Sequence, residues 1–227
     1  MTDQTAASIS NEATSEGIQF GFGIRFAAQF FSYLLHPVFI PVYVTAYLAL
    51  MHPLLFAGFS KTERLTTIAI VFLNTCFFPL MTVILLKALG FIQSIQLHTQ
   101  KDRIIPYIAS GIFYFWAYSV FKGQTDYPTI LIVFLLGIFL SSSAALIANI
   151  YYKVSMHAIG MGGATGILLL LLLQHNLLPA WPLSAAFLLS GVVLSSRLVI
   201  KSHSPFDAYS GFIIGLLLQG VAYYFVG

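Results

Sequence analysis

Residues 128–150 read PTILIVFLLGIFLSSSAALIANI, without one charged side chain. A helix rises 1.5 Å per residue, so this run reaches about 34 Å, enough to cross a bilayer core of about 30 Å. Similar apolar runs lie on either side of it. Upstream they cover roughly 27–51, 66–89 and 104–121; downstream they cover 157–174, 181–199 and 207–226. Of the 227 residues, 59% are hydrophobic and 7% charged, where a soluble domain carries about 25% charge. Mean hydropathy is +0.90. The chain includes 21 Phe and 12 Tyr, many near the ends of apolar runs, where interfacial belts form. The expected fold is all-α: a polytopic transmembrane helical bundle of six to seven spans. Pro37 and Pro41 should kink the first run, and 104–121, the shortest central one, is the run that can fall short of a full crossing.

Two ends of the chain differ in character. Residues 1–18 are polar, rich in Ser, Thr and Ala, and free of Lys and Arg. They lack the basic start and early apolar core of a signal peptide and are expected to be a disordered tail. Residues 19–227 then form a single transmembrane domain. The net charge of +3 is split among loops, and no basic run points to nucleic acid. The single Cys76 rules out an intrachain disulfide.

Counting crossings puts the loops 89–103, 151–156 and 200–206 on one side, because two spans separate each from the next. These loops hold the polar residues of interest. The first contains Lys101-Asp102-Arg103, the second Lys153-Val154-Ser155-Met156-His157, and the third follows Ser196-Arg197 and reaches His203 and Asp207. Charge of this kind beside apolar runs is costly and marks functional candidates. The acidic tail (Asp3, Glu12, Glu16) against Lys61 and Arg64 leans the three loops outward, whereas a plain count of Lys and Arg leans them inward.

Two arginines and a serine suit a phosphate: guanidinium forks match its oxygens, and Ser155 at a helix start adds a hydroxyl near backbone donors. Two histidines then divide the labour of displacement, one attacking phosphorus and the other protonating the leaving oxygen. His203 and Asp207 are four apart, which on a helix places them on one face, close enough for the carboxylate to accept from the imidazole. That pair would also suit a metal, but the neighbouring arginines would repel a cation. Lys101 and Lys153 read equally well as headgroup contacts. His36, His52, His98 and His175 read as interfacial side chains. Ala158, Gly162 and Gly166, like Gly211 and Gly215, form small-residue stripes that let helices approach closely. Asn149 and Ser141 to Ser143 read as interhelical hydrogen-bond partners.

These residues resemble the type 2 phosphatidic acid phosphatase superfamily of membrane lipid-phosphate phosphatases, over roughly residues 66–226. Its third signature, Ser-Arg-x5-His-x3-Asp, is met in full by Ser196, Arg197, His203 and Asp207. Its second, Pro-Ser-Gly-His, is met in part by Val154-Ser155-Met156-His157. Its first, Lys-x6-Arg-Pro, is met weakly: Arg103 fits, Gln96 stands in place of the Lys, and Pro106 comes two residues late. The resemblance implies a hydrolase of lipid or isoprenoid phosphate monoesters or diphosphates working through a phosphohistidine. His203 would be the nucleophile oriented by Asp207, and His157 the general acid. Arg103, Arg197 and Ser155 would hold the phosphoryl oxygens, with Lys101 standing in for the missing Lys. No metal or other cofactor is implied. The implied setting is the inner membrane of a bacterium, with the site on its outer face, and the implied partner is a lipid or prenyl phosphate. The eroded first two signatures leave a second expectation, a catalytically weak relative that binds lipid headgroups or acts as a transporter. Oligomeric state is not legible from the sequence.

Overall fold

The computed structural model describes residues 20–52, 54–95, 97, 99–174 and 180–227. The tail 1–18, Gln96, His98 and His175 lie outside the described residues. Among the described residues every regular element is a helix. They are α1 (Phe22–Leu34), α2 (Ile40–Met51), α3 (Lys61–Ala88), α4 (Gln100–Lys122), α5 (Thr129–Tyr151), α6 (Met156–Gln174), α7 (Trp181–Val199) and α8 (Pro205–Val226). Six of them, α3 to α8, are long and apolar enough to cross a membrane. The chain is thus an all-α polytopic bundle, with the features of an integral membrane protein. The run 104–121 lies within α4, whose 23 residues give it a full bilayer length of about 34 Å.

The first apolar run is not one kinked span. It breaks into α1 and α2 around residues 35–39. Pro37 offers no N–H and disfavours the helical region for His36 before it, so the chain turns here. Pro41 falls in the first turn of α2, where its missing N–H costs nothing. α1 then packs its small face, Ala28 and Ser32, on α7.

Outward-facing Leu65, Met81, Leu85, Leu188 and Tyr224 are all exposed. An apolar surface of this extent suits lipid rather than water. Inside, α5 and α6 are the most buried helices. α6 and α8 lie backbone to backbone. A Cβ on Gly162 would strike the Phe212 carbonyl, and one on Gly215 would strike the Ile159 carbonyl. A Cβ on Gly211 would come within 2.9 Å of the Ser155 carbonyl oxygen. The small-residue stripes are therefore the seam that fixes α6 against α8. Asn149 joins helices as expected, its Nδ2 donating to the Gln100 carbonyl at 2.8 Å. Ser143 instead bonds within its own helix, to Phe139, and Ser141 and Ser142 make no interhelical bond, so that expectation is corrected for all three.

Contacts across the loops confirm the crossing parity. Arg103 reaches the Val154 carbonyl, His203 the Lys153 carbonyl, and the Ser155 N–H the Asp207 carbonyl. The starts of α4, α6 and α8 and the ends of α5 and α7 thus share one end of the bundle. At the other end, Phe56, Phe59, Phe121 and Tyr127 pack as an aromatic plug, with the Phe121 and Tyr127 rings 4.7 Å apart.

Candidate active site

A cavity of about 280 Å³ opens at the loop-sharing end and runs inward between the helices. Arg103, Arg197, His157 and His203 all line it. Four of the seven side chains singled out from sequence therefore meet on one wall, brought there from α4, α6, α7 and the loop before α8.

Arg103 sits in the first turn of α4, which Thr99 caps by accepting from the Asp102 N–H. Its guanidinium is fixed by two backbone carbonyls: Nε donates to Leu97 at 2.9 Å and Nη1 to Val154 at 3.1 Å. Arg197 ends α7, and its Nη1 makes one long contact with the Ser32 hydroxyl at 3.5 Å, while its Nε has no partner. Among the described residues neither guanidinium is paired with a carboxylate. Two desolvated cations without a counter-ion make a strong anion site.

His203 lies outside the helices, its side chain 2% exposed. A carbonyl only accepts, so the Nδ1 contact with the Lys153 oxygen at 3.0 Å fixes the hydrogen on Nδ1 and leaves Nε2 with its lone pair. Burial, followed by the charges of Arg197 and Arg103, pushes His203 down to about 4. Asp207 is further off: its Oδ2 stands 3.9 Å from Nδ1. Its other duty is at the start of α8, where it accepts from the Ser204 N–H while Ser204 Oγ accepts from its own N–H. This reciprocal cap fixes the helix start. The group that orients His203 by a hydrogen bond is therefore the Lys153 carbonyl. Asp207 stands beside the ring without a hydrogen bond to it, and its bonds to Ser204 hold the loop that carries His203.

His157, 9% exposed, stands in the first turn of α6. Its Nε2 donates to the Ser32 carbonyl at 3.0 Å, and its ring meets His36 edge-on at 5.1 Å. Ser155 and Lys101 do not reach the cavity wall. Ser155 is fully buried and its hydroxyl faces the Ala158 N–H at 3.5 Å, a capping position. Lys101 is exposed on the outer side of α4. The lysine closest in charge is Lys153: burial and the Arg103 and Arg197 charges lower it, and Asp207 raises it.

Ser32 and His36 are the residues that sequence reasoning missed. His36 lines the cavity rather than the interface, because the break before α2 turns it inward. The sequence signal was available: an ionisable side chain beside a proline inside an apolar run. Comparison with protein-family models, curated proteins and solved structures finds no match for this chain.

Proposed function

We propose that this protein is a membrane hydrolase that removes phosphate from a lipid or isoprenoid phosphate, as members of the type 2 phosphatidic acid phosphatase superfamily do. The observation that carries the reading is the pair of unneutralised arginines sharing a cavity with two histidines. Arg103 and Arg197 take the phosphoryl oxygens. Nε2 of His203, neutral at pH 7, attacks phosphorus, and the bond from phosphorus to the lipid oxygen breaks. The phosphate enters as its monoanion and passes its remaining proton to Nδ1 of His157, so that both ring nitrogens carry hydrogen while Nε2 stays on the Ser32 carbonyl. Nδ1 gives that proton to the departing oxygen. Nδ1 then accepts a proton from water as that water displaces phosphate from His203. The span-end position lets a headgroup reach the histidines while the tail remains among apolar side chains.

A second reading draws on Ser155 and Lys101 standing apart from the cavity. With a smaller phosphate cradle, the protein would bind lipid headgroups, or carry them, without hydrolysis. Phosphate release by purified protein separates the two. Release from at least one lipid or prenyl phosphate, reduced at least about 10³-fold in His203→Ala and likewise in His157→Ala, supports the hydrolase. Wild type no faster than His203→Ala on every substrate supports the binding protein.

A further inference from the structure

The cavity has a second polar station, deeper than the arginines. Gln219 of α8, Ser141 and Ser142 of α5 line it together with Arg103 and His203. Gln219 is 1% exposed, and neither its Oε1 nor its Nε2 has a hydrogen-bond partner; the Ser141 and Ser142 hydroxyls have none either. The surrounding helices are cut to fit the amide. A Cβ on Gly137 would strike it, and one on Gly163 would stand 3.4 Å from Nε2. Gly137 and Ser141 share a face of α5, one turn apart. An amide and hydroxyls buried without partners in a membrane bundle are costly. They are not explained by helix packing, because they bond no helix.

We propose that Gln219, with Ser141 and Ser142, binds a carbonyl or hydroxyl group of the ligand inward of its phosphate, and so sets specificity. This rests on the phosphate-site reading above. The spacing defines the chemistry. From His157 to Gly163, beside the amide, α6 rises roughly 9 Å. In an acylglycerol 3-phosphate the outer ester carbonyl oxygen is seven bonds from phosphorus, a reach of roughly 8 Å at about 1.2 Å per bond. An ester-bearing tail therefore fills both stations. A hydrocarbon prenyl tail leaves the amide unpaired, which a site built to hydrogen-bond discriminates against.

The test uses the full chain in detergent with three ligands: a diacylglycerol 3-phosphate, its dialkyl ether analogue and farnesyl phosphate. Phosphate release and lipid binding by native mass spectrometry are both read. Wild type should favour the ester over the ether and prenyl ligands by about tenfold or more. Gln219→Met, and separately Ser141→Ala with Ser142→Ala, should bring the ester-to-ether ratio towards one. A wild-type ratio already near one overturns the proposal whatever the variants do, as does a ratio that survives both variants. If no ligand releases phosphate, the hydrolase reading fails, and the binding ratios decide the station by the same criteria.

Discussion

At the residue scale the neutrality of His203 is the controlling feature. Its value near 4 lies below the 6.5 of a free imidazole, so the folded protein binds fewer protons here than the unfolded chain between these values. Stability from this group is present above about pH 6.5 and is lost as pH falls towards 4. On the hydrolase reading the same shift keeps the nucleophile free of a proton through the weakly acidic range. The His203 contribution to the acidic limb of kcat/KM should fall near pH 4 to 5. Arg197→Gln should move it upward, since it removes a lowering charge; an unmoved limb would show that another group controls it. Each arginine, replaced singly by Ala, should cost about ten- to a hundredfold in kcat/KM, from the loss of charge-assisted hydrogen bonds. Ser155→Ala should act on stability instead, by about 1 kcal/mol as for other caps, with phosphate release little altered when compared at equal folded fraction. Asp207→Asn should cost one to two orders of magnitude in rate, because a carboxylate near 4 Å stabilises the developing imidazolium by about 1 to 4 kcal/mol depending on local dielectric.

At the scale of elements the seam between α6 and α8 positions both histidines. Gly215→Val would push α8 off the Ile159 carbonyl, costing about 1 to 3 kcal/mol by overpacking. Thermal unfolding in detergent should show the loss, and phosphate release should fall with it although every polar residue is intact. This seam was legible in the sequence, since small residues four apart on two apolar runs have few other uses in a membrane. The partition of residues 27–51 was not. Apolar content fixes how much chain is shielded from water, and a broken pair of helices satisfies it as well as one span. Spacing placed His203 and Asp207 on one face as if both were helical. The structure puts His203 before the first turn of α8, so the bond goes to a loop carbonyl that no side-chain pattern announces. Ser155 shows the same limit: a hydroxyl at a helix start serves a ligand or its own helix, and only its direction decides.

For the whole molecule, crossing parity was readable because it depends on counting runs rather than on their ends. It carries a direct test. Lys101 and Lys201 are exposed at the cavity end, and Lys61 and Lys122 are exposed on helices that begin or finish at the other. Single cysteines at these positions should divide into two pairs towards a membrane-impermeant thiol reagent, with little background because Cys76 is buried. Labelling of Lys101→Cys and Lys61→Cys from the same face would overturn the arrangement. The deep polar station was missed because Gln219 lies alone in an apolar run, where sequence offers no partner to compare it with. Ser141 and Ser142 were noticed, but an unbonded hydroxyl and a bonded one look alike in sequence.

The unequal tethering of the two arginines has a mechanical consequence. Arg103 is bolted to two carbonyls, whereas Arg197 leans on one hydroxyl at 3.5 Å. The cavity is a vice with one fixed jaw and one that slides. On the hydrolase reading, an arriving phosphoryl group would draw the sliding jaw inward, and the phosphate left after turnover would be gripped by the same pair. Letting go would then be the slow stroke of that cycle, and free phosphate in the medium should slow phosphate release in a concentration-dependent way.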